Sequence, residues 1–218
     1  MVVERKVTRL LTEQCKERME PYSCEGFLLG GGNSQSNILF VGEAPGRQEL
    51  IDGAPFTGKA GEVMDKYFSW LGIEKCDVYI TSVVKSRPYK TLANNKEKPI
   101  HLRGNRTPNQ AEIRAHAPLL DAQIKNGHAK VIVTLGAIAF KRITGFKSRL
   151  VDVHGTPFST TILTLQSMKD TKYTPSEESY TIFPTFHPAS IFYNQKLEQT
   201  IKSDMKQLKK LLKKMDLY

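Results

Sequence analysis

NILFVGEAPG, residues 37–46, is the stretch that decides the architecture. Four apolar residues, 38–41, run without alternation and stop at Gly42, Pro45 and Gly46. A short apolar run closed by breakers reads as a strand buried on both faces. Strands of that kind belong to parallel sheets covered by helices on each side. Working outward, the signature recurs at residues 78–84, 130–135 and 181–186. Helical periodicity fills the gaps. Residues 61–71 place Met64, Phe68 and Leu71 on one face, with Gly72 as a stop. Thr107-Pro108 opens a helix to about residue 126, with Thr107 as N-cap and Pro108 at its first position. Gly136 leads into another helix ending near Gly145, and residues 4–22 form one near the N-terminus. A long helix from about Leu197 closes the chain. Its apolar stripe includes Ile201, Met205, Leu208 and Leu212, and its other face carries Lys202, Lys206, Lys209, Lys210, Lys213 and Lys214. That is a docked helix with a solvated basic face. Residues 30–33 read as a turn, 151–166 as a hairpin and 167–179 as a polar loop.

Strands alternating with helices define an α/β chain, a three-layer α/β/α sandwich around a mainly parallel central sheet. Sites in such sheets gather at the carboxyl ends of the strands. That singles out the loops after Gly42, Val84 and Phe186.

The 218 residues, 39% hydrophobic and 25% charged, suit one globular domain over 1–218. It carries an N-terminal helical extension, 1–36, and a basic insertion, 89–104. No apolar run approaches the ~18 residues of a membrane span. The segment MVVERKVTRL lacks the apolar core of a secretory signal, so the expected compartment is cytoplasmic. Three irregularly spaced cysteines, Cys15, Cys24 and Cys76, are not a disulfide framework. Thirty-two Lys and Arg against 22 Asp and Glu give +10, a balance that points to a polyanionic partner such as nucleic acid.

One motif is a decoy. GAPFTGKA, residues 53–60, nearly spells a phosphate-binding loop. Ala60 stands where a Mg²⁺-holding hydroxyl is needed, no buried strand precedes Gly53, and Pro55 removes a backbone donor.

Gly42-Glu-Ala-Pro-Gly46 after a buried strand resembles the first motif of the uracil-DNA glycosylase superfamily. APFTGKAG, residues 54–61, and TSVVKSRP, residues 81–88, resemble runs of its four-cysteine branch, family 4. Asn105-Arg-Thr-Pro108, then Glu112, follow in family order, and His187-Pro-Ala-Ser190 resembles the second catalytic motif. The resemblance covers residues 37–191, about 70% of the chain. It implies hydrolysis of the N-glycosidic bond of uracil or a related deaminated base in DNA. Catalytic roles then fall on Glu43 and His187, and base binding on Ala44, Gly46, Phe56 and Ser82. DNA contacts fall on Lys85, Arg87, Arg103, Arg106, Ser190 and Ile191, with Lys90, Lys96 and Lys98 beside them. The stretch 190–192 either wedges into the duplex or seats the last helix. The implied partner is single- or double-stranded DNA with a damaged base, met by a monomer with no membrane role.

Three departures stand out. The branch holds an iron–sulfur cluster on four cysteines, but here Ser86 and His116 occupy two of those positions. No cofactor and no metal is therefore expected. Ser82 replaces an Asn that meets the uracil edge in the family, and Leu50 replaces an acid. A DNA-binding relative without turnover is the alternative. A covalent trap of the abasic sugar, with His101 of the insertion as candidate nucleophile, is another.

Overall fold

A computed structural model describes residues 2–91, 98–165, 167, 169–170 and 172–217. The chain begins with α1 (Val2–Met19), β1 (Cys24–Glu25), β2 (Gly31–Gly32), β3 (Ile38–Gly42), α2 (Arg47–Asp52) and α3 (Lys59–Leu71). Then come β4 (Tyr79–Ser82), β5 (Arg87–Pro88), α4 (Gln110–Lys125), β6 (Val131–Leu135), α5 (Ala137–Thr144) and α6 (Leu150–Val153). β7 (Phe158–Thr164), β8 (Thr174–Thr185) and α7 (Leu197–Lys214) complete it.

The main sheet has six strands in the order β2-β4-β3-β6-β8-β7. The pairings β4–β3, β3–β6 and β6–β8 are parallel, and the two outer pairings are antiparallel. The expected sandwich is what forms. Every residue of β3 and β6 is buried. Alternate side chains go to opposite faces, as strand geometry requires. Phe40, Val133 and Phe183 join α3 and α7 in one core, whereas Leu39, Ile132 and Ile182 join α4 in the other. On α7, Ile201, Met205, Leu208 and Leu212 are buried, and Lys202, Lys206, Lys210, Lys213 and Lys214 are exposed. Among the described residues, no helix is long and apolar enough to cross a membrane.

Four local readings need correction. The extension 1–36 is helical only in α1, and β1 and β2 belong to sheets. Gly31–Gly32, expected as a turn, pairs antiparallel with β4 as the edge strand. The N-cap of α4 is Asn109, not Thr107. Its side chain accepts from Glu112 N while Glu112 accepts from Asn109 N, a capping box that satisfies two end donors. The hairpin is not within 151–166. That stretch holds α6 and β7, and the partner of β7 is β8, which begins at Thr174 inside the expected polar loop.

Candidate active site

The loops that follow β3, β4 and β8 meet at the carboxyl edge of the sheet around a cavity of about 460 Å³. Its walls include Ala44, Pro45 and Gly46 after β3, Phe56 before α3, Thr81 and Ser82 at the end of β4, and His187 after β8. The sequence expectation for base-binding residues is thus brought into one place.

His187 caps the one-turn helix Pro188–Phe192, its Nδ1 accepting from Ala189 N at 3.2 Å. A backbone N–H can only donate, so Nδ1 is unprotonated and the ring proton of the neutral imidazole sits on Nε2. Burial drives the ring pKa down to about 4, against an opposing pull from the Glu49 carboxylate. His187 is therefore neutral at physiological pH and keeps one N–H donor. Its ring lies 6.0 Å from that of Phe56.

Phe56 holds φ of +53°, a left-handed conformation uncommon for a bulky residue. Three contacts fix it there. Lys75 Nζ donates to Phe56 O at 2.9 Å. The ring packs partly on the main core. Gly61 lies so close that a Cβ would stand 2.2 Å from Phe56 O, so only glycine fits. The run that mimics a phosphate-binding loop is split between the end of α2 and the start of α3, and Gly58 N is taken by Glu49 Oε1 at 3.1 Å.

The carboxylates differ from expectation. Glu43 is half-buried, and burial pushes its carboxyl above the usual range. It is flanked by cavity residues Gly42 and Ala44 but is not itself among the lining residues. The acid that lines the cavity is Glu49. Its Oε2 would stand 2.5 Å from a Cβ on Gly46, so any side chain at Gly46 displaces this carboxylate. Exposed Arg47 and Lys59 also line the mouth, as does Asn105. The sequence reading gave none of these four a site role. Glu49 and Arg47 lay in a departed motif, Lys59 in the decoy, and Asn105 beside an insertion.

Most of the expected DNA contacts are turned inward. Lys85 is fully buried and donates to Thr81 Oγ1 and Ser82 O, both at 2.5 Å, with burial lowering its pKa to about 7. Arg87 is 1% exposed and binds Glu25, Asn105 and the Arg103 carbonyl. Neither can reach a phosphate. Arg106 forms a two-pronged pair with buried Glu112, at 2.9 and 2.5 Å. Arg103 donates to Lys98 O at 3.0 Å and lies over the Tyr89 ring. Ser190 Oγ is buried, and Ile191 packs on the core. The side chains that project past His187 are Phe192, 52% exposed, and Tyr193, 92% exposed. His101 is exposed and does not line the cavity. Lys96 lies outside the described residues.

The residues at the family's cluster positions do not fit an iron–sulfur cluster. Cys15 donates to Ala115 O at 3.4 Å, and burial pushes its thiol up to about 11. Burial pushes the Cys24 thiol up to about 12, with the Glu112 carboxylate adding to the rise. Ser86 is buried with a hydroxyl in place of sulfur. His116 stacks on Phe27, its Nδ1 against Glu112 O at 3.1 Å. Two protonated thiols, a hydroxyl and an imidazole do not supply four thiolates. Purified protein is accordingly expected to be colourless. An absorbance band near ~400 nm with iron in the preparation, as thiolate-held clusters give, contradicts this.

A mainly parallel sheet covered by helices on both faces, with a cavity at the carboxyl ends of its strands that His187 and Phe56 both line, places the chain among the α/β proteins. The chain belongs to the uracil DNA glycosylase superfamily, whose family model matches residues 29–213. It is 36% identical over 183 residues to a type-4 uracil-DNA glycosylase of Sulfurisphaera tokodaii, covering 84% of this chain and 73% of that one. It is 33% identical over 190 residues to a protein of the same name from Thermotoga maritima, covering 86% and 83%. A Saccharolobus solfataricus protein of that name is 31% identical over 188 residues, covering 84% and 74%.

Proposed function

We propose that this protein hydrolyses the N-glycosidic bond of uracil, or a closely related deaminated base, in DNA. The observation that carries the reading is the neutral His187, with its proton on Nε2, lining a cavity of about 460 Å³ beside Phe56. Duplex DNA must extrude a nucleotide to reach such a pocket. Phe56 offers the stacking surface, and cleavage leaves negative charge on the departing base. A fixed N–H donor facing a base carbonyl stabilises that charge more in the transition state than in the ground state. Glu49 at the cavity wall and Glu43 beside it are the carboxylates available to orient a water toward the sugar carbon. Arg47 and Lys59 at the mouth are suited to flanking phosphates, replacing the inward-turned Lys85 and Arg87 in that role. Phe192 and Tyr193, rather than Ser190 and Ile191, are placed to enter the gap left by the extruded base.

The test uses oligonucleotides carrying uracil, hypoxanthine, xanthine or a thymine mismatch, single- and double-stranded. Abasic product from the uracil strand is expected. Mobility shift without product favours the non-catalytic reading, and protein retained on DNA in a denaturing gel favours covalent capture.

The pH profile follows from the sign of the His187 shift. The neutral form donates, so protonation stops catalysis, and a pKa of about 4 instead of 6.5 moves that loss to lower pH. The turnover rate is expected to stay level from pH 8 to 6 and to fall only toward more acid values. Glu43, with its raised pKa, adds to the same limb by losing its charge. An inflection near 6.5 that persists in Glu43→Gln contradicts the assignment.

A further inference from the structure

His187 comes directly after the end of β8, and each of the three residues before it is held by a separate contact. Pro184 O accepts from Gly155 N at 2.8 Å, and Thr185 O accepts from Gly136 N at 2.8 Å. The Phe186 ring lies 4.8 Å from that of His154, just past α6. A further hold comes from α7. Thr185 is fully buried, and its Oγ1 donates to Asp204 Oδ2 at 2.7 Å.

Asp204 is 3% exposed and does not line the cavity. Its other oxygen, Oδ1, lies 2.9 Å from His154 Nδ1. A carboxylate only accepts, so Nδ1 carries the His154 proton. A Cβ on Gly155 would stand 2.5 Å from the same Oδ1, so the carboxylate is seated against bare glycine backbone. Both oxygens are thus spent on groups that flank the end of β8. A buried carboxylate adds little stability that apolar residues of the same size would not supply. What it adds is a fixed direction.

We propose that Asp204 is a positioning residue for His187. Through Thr185 it fixes the chain two residues before the imidazole, and with it the line along which Nε2 presents its proton. His154 orients the carboxylate from the far side and packs on Phe186 between the two. A donor to a developing charge must be held to within about 0.5 Å of its productive place. The inference rests on the reading of His187 as the donor to the departing base.

Single-turnover release of uracil, measured in a double-mutant cycle with His187→Ala, tests it. Thr185→Val keeps the shape and removes the hydroxyl. It is expected to slow release by about 10–10²-fold, the scale of a displaced catalytic group. Affinity for the uracil strand should stay within about twofold, since phosphate contacts dominate it. Thr185→Ser keeps the hydroxyl and is expected to recover most of the rate. In the His187→Ala background Thr185→Val should slow release by less than about twofold more, because the group it positions is gone. Asp204→Asn, whose single carbonyl oxygen accepts from one partner only, is expected to behave as Thr185→Val in both backgrounds. Rates are read at a temperature where circular dichroism shows every variant folded. Equal slowing in both backgrounds, or no slowing by Thr185→Val, overturns the assignment while the glycosylase reading stands. If the unaltered protein releases no uracil, that reading itself fails and takes this inference with it.

Discussion

His187→Ala is expected to lower single-turnover release of uracil by about 10²–10³, the usual scale for one lost donor to a developing anion. Affinity for the same DNA should change little, because phosphate contacts supply most of it. The split between rate and binding is what distinguishes a donor to the leaving base from a side chain that merely shapes the loop. The substitution also removes the Nδ1 acceptor from Ala189 N. That donor sits at the start of a one-turn helix and can be taken over by water, so the loop is expected to persist. Rate and affinity measured on the same uracil strand check this. A variant that cleaves at the original rate places the chemistry elsewhere.

Glu112→Ala is expected to cost more stability than His187→Ala. The Glu112 side chain is fully buried and binds Arg106 through two contacts and Asn109 N at 2.8 Å. Arg106 in turn donates to the carbonyls of Ser23, Tyr89 and Thr107. One carboxylate thus ties the start of α4 to Ser23, just before β1, and to Tyr89 beside the insertion. Removing one partner of a buried pair costs about 3–5 kcal/mol, because the other is left uncompensated. For a chain of this size each kcal/mol corresponds to roughly 2–4 °C in melting temperature. A melting temperature lower by roughly 6–20 °C is therefore expected, and Glu112→Gln, which keeps the cap acceptor, should lose less. A drop below about 2 °C for Glu112→Ala contradicts this account of the clamp.

Much of the architecture was legible in the sequence for a physical reason. Strands buried on both faces, such as β3 and β6, leave unbroken apolar runs, and α7 repeats its apolar residues with helical period. What escaped lacked such a pattern. β2 is Gly31–Gly32, with no side chains to alternate. The outer part of β8, 174–179, is polar and mostly exposed, so it resembles a loop until β7 pairs with it. The start of α4 carried two competing signals, and the reciprocal bonds of Asn109 and Glu112 outweighed Thr107-Pro108.

The site divides in the same way. Residues in contiguous motifs, Ala44, Gly46, Phe56, Ser82 and His187, meet in the cavity. The basic residues did not follow their charge. Lys85 and Arg87 look like phosphate contacts in one dimension, but each meets enough oxygen acceptors in the fold to be buried. Asn105 joins the cavity only because the chain returns antiparallel to Tyr89 after the insertion. The motif Asn105-Arg-Thr-Pro108 marks the place in the sequence but not the pairing with Tyr89 that brings it to the cavity.

The most direct measurement is the mass of a DNA strand carrying one uracil after incubation with the unaltered protein. The proposed hydrolysis leaves a strand lighter by one uracil and heavier by one water, with free uracil in solution. A strand of unchanged mass that is nonetheless bound, or one found joined to the protein, contradicts it.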